Sequence, residues 1–286
     1  LTSINLYNLI RQRREHRIEL IKSIPDPITL SLNGPINSYL NRASGKILQK
    51  ADIIIFQSEL SREMHQRFFG DAKQQSYVIL NGVPVEIFNP DVKSVSLEGS
   101  PRLVITASFR LHKRLQNAID LINNLRKKLP SITLHVIGVM DNLTKELIQS
   151  LDLSSCIFHG HVSSSRLPSI YAACDLGLSP SLFDPCPNSV VEMVSCGLPV
   201  LTTSASGAAE IIKNPELIIT EDLDFDFMEL QTAEAIPLID IPAWSEAVVS
   251  ALDNRIKLSH SMLRRVEEEI DIKIVAERYA KAINGH

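Results

Sequence analysis

The chain reads as an α/β protein of two Rossmann-like domains with parallel sheets. Three observations carry that expectation. Ile53-Ile54-Ile55-Phe56 is a continuous apolar run, the mark of a strand buried on both faces. Between Leu103 and Ile212 five strand–helix pairs follow one another, and such alternation builds a parallel sheet covered by helices. At 286 residues the length suits two domains at roughly 150 residues each.

The elements follow in order. Residues 4–22 place Leu6, Ile10, Ile18 and Ile21 on one helical face. Asp26-Pro27 ends that helix, and Ile28–Leu32 is a strand closed by Asn33-Gly34-Pro35. Residues 37–50 form a second helix, 52–56 a buried strand, and Ser58 caps a helix over 59–69. Tyr77–Leu80 is a strand ending at Asn81-Gly82. The proline-rich stretch from Pro84 to Pro101 has no period and reads as the linker. Strands are then expected at Leu103–Ala107, Thr133–Ile137, Ile157–His159, Leu176–Leu178 and Pro199–Thr202. The helices between and after them fall at 114–128, 143–150, 165–173, 189–196 and 207–212. The tail, 244–286, reads as helical throughout, with Val266, Ile270, Ile274 and Tyr279 at helical spacing.

Composition excludes several classes. A net charge of −4 argues against a nucleic-acid binder, whose domain would be basic. The four cysteines show no CxxC pair, so neither a zinc knuckle nor a disulfide scaffold is expected, and they read as thiols of a reducing, cytoplasmic compartment. No apolar run approaches the roughly 18 residues of a membrane span. The Arg11–Arg17 cluster is a solvated helix face or a peripheral contact with an anionic membrane surface. The chain opens at Leu1 in what looks like the middle of a domain, so an upstream segment is expected.

Three segments carry candidate chemistry. In Asp184-Pro-Cys-Pro-Asn-Ser-Val-Val-Glu192, Asn188 or Ser189 can cap a helix whose first amides face the preceding loop. A carboxylate there accepts hydrogen bonds from a vicinal diol, or merely stabilises its own helix. Arg110, Lys113 and Arg114, with His112 among them, occupy the turn after a strand. Parallel α/β sheets bind ligands at that position, and a solvated basic turn is the plain alternative. Thr203 to Glu210, with Gly207, is a small-residue loop that opens a helix. His135, His159 and His161 are taken as core or loop histidines, and no metal site is expected.

Together, and in this order, these residues resemble the family 4 (group 1) retaining glycosyltransferases of the GT-B fold. The resemblance rests on Asp184 to Glu192, on Ser195-Cys196-Gly197-Leu198-Pro199-Val200, and on Gly207 to Glu210. Gly160-His161-Val162, Leu167 to Asp175, Asn81-Gly82-Val83 and Phe88-Asn89-Pro90 add to it. Two positions depart from the pattern: Asp184 stands where glutamate is usual, and Arg110 and Lys113 are closer together, which makes Arg114 an alternative diphosphate partner.

The resemblance implies an N-terminally truncated GT-B chain. Residues 1–90 would be a partial acceptor-side domain, 91–101 the linker, and 102–268 the nucleotide-sugar domain. The helix at 269–286 would return to the first domain. It further implies transfer of a hexose from a nucleotide diphosphate sugar to the hydroxyl of a glycan, lipid-linked or small-molecule acceptor, with retention. Cell-surface polysaccharide synthesis is the implied setting, with no cofactor and no metal. Arg110, Lys113, Asp184 and Glu192 would be catalytic. Arg114, Pro187, Asn188, Ser189, Gly207 and Glu210 would hold the donor, and Asn33 and Gly34 would lie on the acceptor side. A nucleotide-sugar epimerase and a non-catalytic nucleotide-binding subunit are the competing readings.

Overall fold

The computed structural model describes residues 22–23, 52–221 and 236–284. The elements expected over 28–50, the Asn33-Gly34 loop and the Arg11–Arg17 cluster lie outside them. Lys22, read above as the end of a helix, instead begins a strand.

Among the described residues two parallel sheets organise the chain. The first contains β1 (Lys22–Ser23), β2 (Ile53–Phe56) and β3 (Gln75–Val78) in that order, with helix α1 (Glu59–Phe69) between β2 and β3. Ser58 starts α1 as expected, its hydroxyl accepting the Ser61 amide at 3.0 Å. The second sheet has six strands: β4 (Arg102–Thr106), β5 (Thr133–Ile137), β6 (Cys156–Gly160), β7 (Leu176–Ser179), β8 (Val200–Thr203) and β9 (Ile218–Ile219). Their spatial order is β6-β5-β4-β7-β8-β9. Leu103 pairs with Leu134 on one side and Leu176 on the other. The strand order therefore reverses between β4 and β7, and that switch point is where open parallel sheets bind ligands.

The central strands β4, β5, β7 and β8 are buried on both faces because helices cover both, while the edge strand β6 stays partly exposed. α2 (Leu115–Leu125), α3 (Asn142–Ile148), α4 (Leu167–Tyr171), α5 (Asn188–Ser195) and α6 (Ala208–Ile212) are the crossovers. α2 buries Leu115, Ala118, Ile119, Leu121, Ile122 and Leu125, a helical stripe that removes the sheet from water. β9 was not expected, since two residues leave no periodicity to read. His135 is a core histidine: its Nε2 lies 3.1 Å from the Glu98 carbonyl and its Nδ1 2.9 Å from His159 Nε2.

The tail is not one helix. α7 (Ile241–Asp253) and α8 (Arg255–Arg265) lead into a π-helical turn, Val266–Ile270, and then α9 (Ile272–Asn284). The break falls where Val83 bridges Asp271. The Val83 amide donates to the Ile270 carbonyl at 2.9 Å, and the Ile272 amide donates to the Val83 carbonyl at 3.0 Å. Beyond it α9 packs Val275 and Ala282 against Ile53, Ile55 and Ile79 of the first sheet. A Cβ on Gly82 would stand 2.9 Å from the Ile272 Cα, so only glycine allows that approach. Among the described residues no helix is long and apolar enough to cross a membrane.

Candidate functional site

A cleft of about 500 Å³ opens at the carboxyl ends of β4, β5 and β7. Ser108, Arg110, Lys113, Asp184 and the start of α5 at Asn188 and Ser189 line it. The basic turn reaches it because Phe109 is an anchor: buried at 1% exposure, its amide donates to the Val139 carbonyl at 2.7 Å. That pin fixes the turn after β4 and leaves Arg110 exposed beside the cleft. The 3₁₀ turn Leu111–Lys113 then points Lys113 across the cleft, where its ammonium pairs with the Asp184 carboxylate. His112 is buried in the same turn and its imidazole is held neutral, with its pKa pushed down to about 3 by burial and by Lys113 and Arg110. Gly138, at φ +130°, forms the opposite wall, and a Cβ there would lie 1.8 Å from the Ala107 carbonyl oxygen. Sequence reasoning missed it, because the constraint is a neighbouring strand end and not a local pattern.

The loop that carries Asp184 is held by Gly207. The Gly207 amide donates to the Asp184 carbonyl at 2.8 Å, and a Cβ on Gly207 would meet the Pro185 carbonyl oxygen at 1.8 Å. Gly207 therefore supports the cleft from behind without lining it. Gly207→Ala is expected to push residues 184–186 into the cleft and cost about 1–3 kcal/mol, as overpacking does; denaturant unfolding measures the loss.

Asn188 and Ser189 are not the cap of α5. Pro187 holds that position and supplies no side-chain hydrogen bond, so Asn188 and Ser189 are the first helical residues. Proline supplies no capping side chain; the Val190 amide donates to the Pro187 carbonyl at 3.0 Å, which leaves the Asn188 and Ser189 amides uncapped beside the cleft. Glu192 sits one turn further in, half-buried, with the Tyr171 hydroxyl donating to it at 3.5 Å. Burial pushes its carboxyl up to about 7, opposed by the Tyr171 hydrogen bond.

Besides Gly207, two residues expected at the donor site lie elsewhere. Arg114 has no exposed side-chain surface and pairs with Glu221 at 2.8 Å. Its backbone is left-handed, at φ 52°, and its side chain is buried against Pro180 and Glu221, just past the ends of β7 and β9, outside the cleft lining. Glu210 faces the first sheet. Its carboxylate accepts the amides of Glu59 at 2.7 Å and Leu60 at 2.9 Å, capping α1 from about 150 positions away. Burial raises its pKa, against the pull of those two amides. Among the described residues no group of three or more metal-ligating side chains comes together. The four cysteines are free, and burial pushes Cys186, on the cleft wall, up to about 12. They are thiols, not nucleophiles.

Residues 89–228 match the family described as glycosyl transferases group 1. An uncharacterized glycosyltransferase of Methanocaldococcus jannaschii is 22% identical over 269 residues, which cover 88% of this chain and 65% of that protein. The chain therefore spans just under two thirds of that relative's length. Sucrose-phosphate synthase from Thermosynechococcus elongatus superposes with a TM-score of 0.72 at 17% identity, covering 96% of this chain and 69% of that one. Anabaena HepE, in complex with UDP and glucose, gives 0.71 at 16% identity, covering 94% and 72%. The fold is thus the GT-B type with parallel α/β sheets, and the cleft is built within the segment that matches the group 1 glycosyl transferases.

Proposed function

We propose that the chain transfers a hexose from a nucleotide diphosphate sugar to an acceptor hydroxyl with retention at the anomeric carbon. One observation carries the reading: Lys113 and Asp184 face each other in the switch-point cleft, directly before an uncapped helix start. Cations and free amides suit a diphosphate whose charge grows as it departs, and carboxylates suit sugar hydroxyls. In this reading Arg110 and Lys113 neutralise the diphosphate. Asp184 holds hydroxyls of the transferred sugar and Glu192 holds the ribose.

The bond from the anomeric carbon to the diphosphate oxygen breaks, and the acceptor oxygen attacks the same face. Its proton passes to the departing phosphate oxygen. No protein nucleophile, metal or cofactor has a part in these steps. Residues 1–90, with Asn33 and Gly34, supply the acceptor side, and 102–268 the donor side. The acceptor is a glycan, lipid-linked or small-molecule hydroxyl, and the compartment this donor implies is the cytoplasm.

The raised pKa of Glu192 gives a pH test. A carboxyl with its pKa raised to about 7 is mostly protonated at pH 6 and mostly ionised at pH 8. The same shift costs the fold stability as pH rises from 4.5 through 7, because burial disfavours the charge. Two ribose hydroxyls donate best to the ionised form, so nucleotide affinity should rise with pH through 7 and level off above it. The gain between pH 6 and 8 should reach up to about tenfold. Glu192→Gln should be weaker and flat across that range in calorimetric titrations, and an unchanged pH slope in that variant would remove Glu192 from the ribose.

A further inference from the structure

We infer that Asn81 is a positioning residue of the donor cleft, acting from the first sheet through Asn188; this rests on the donor reading above. Asn81 follows β3 and reaches across to the loop before α5 with three contacts. Its amide N–H meets the Cys186 sulfur at 3.4 Å. Its side-chain Nδ2 donates to the Cys186 carbonyl at 3.1 Å and to Asn188 Oδ1 at 2.8 Å. The backbone around Asn81 is held on both sides. The Ile79 amide is tied to Phe56, Gly82 is packed against Ile272, and Val83 is bonded to Ile270 and Ile272. The side chain is therefore presented from a rigid junction, and the loop it grips is a wall of the cleft.

These contacts determine which way the Asn188 amide faces. The Cys186 carbonyl can only accept, so the Asn81 atom beside it is the nitrogen. That same nitrogen needs a second acceptor, so Asn188 turns its oxygen to Asn81. The Asn188 NH₂ is then left for the exposed side, where Asn188 lines the cleft. A pair of N–H donors beside uncapped helix amides suits a phosphate or hydroxyl oxygen of a nucleotide diphosphate sugar. Without Asn81 the Asn188 amide can flip and present its oxygen, which an anionic group rejects. Asn81 itself does not line the cleft, so its influence on the ligand passes through residues 186–188.

A double-mutant cycle tests this by calorimetry, with UDP-glucose, GDP-mannose and ADP-glucose as probes. For the probe that binds the wild-type chain, Asn81→Ala should weaken affinity roughly two- to tenfold, the range of one lost neutral hydrogen bond. In the Asn188→Ala background the same change should have no further effect, because the amide it orients is gone. Thermal unfolding of each variant separates a folding defect from a binding one. Full-strength binding by a folded Asn81→Ala, or an equal extra loss in both backgrounds, overturns the positioning role and leaves the donor reading intact. Binding of no probe by the wild-type chain overturns the donor reading, and this inference with it.

Discussion

Lys113→Ala is expected to lower turnover by about 10²–10³-fold, the usual effect of removing one group aimed at developing charge. Lys113 is the cleft cation that pairs with Asp184: Phe109 pins the turn after β4, and the 3₁₀ turn that follows carries Lys113 to Asp184. The substitution also leaves the Asp184 carboxylate unpaired where an anionic diphosphate would sit, so nucleotide affinity should fall together with turnover. Release of nucleotide diphosphate from the donor measures the first effect and calorimetry the second. Arg114→Ala is the control, because its side chain never reaches the cleft. A rate loss for Arg114→Ala that is not explained by unfolding would exchange the two assignments.

The second large effect is on stability. Glu221→Ala should destabilise the fold by about 3–5 kcal/mol, because it strands a buried guanidinium. Arg114 is fully buried. Its Nη1 bonds both Glu221 oxygens at 2.8 and 2.9 Å, while among the described residues Nε and Nη2 have no partner. Nη1 also donates to the Pro180 carbonyl at 3.4 Å. Desolvation lowers the Arg114 pKa, opposed by Glu221, so the pair survives only while both members are present. Arg114→Met combined with Glu221→Leu should recover most of the loss, since apolar replacement of a buried pair is often neutral or better. Denaturant unfolding of the single and double variants decides this. A Glu221→Ala midpoint close to wild type would mean that the guanidinium has another partner.

Arg114 also shows what a sequence does and does not disclose about a site. Two adjacent cations in one turn are equivalent as letters. With a left-handed backbone at the second, one enters the cleft and the other is buried against Glu221. Glu210 makes the same point at longer range, since its partners are two amides of α1 about 150 positions upstream. The strands were legible because burial on both faces writes continuous apolar runs, and the crossover helices because their stripes repeat. β9 and the break at Asp271 were not, since one is two residues long and the other depends on Val83. The α5 cap was displaced by one residue because preference favours Asn or Ser there, whereas Pro187 holds the position.

The central claim is that this cleft holds a nucleotide diphosphate sugar between Lys113 and Asp184, and calorimetric titration tests it most directly. A panel of nucleotide diphosphate sugars is titrated into the wild-type chain and into Lys113→Ala. At least one member should bind the wild type with one-to-one stoichiometry, and the variant should bind that member at least about tenfold more weakly, the loss of one charge-assisted contact. Equal affinity for wild type and variant, or no binding by any member, would contradict the account.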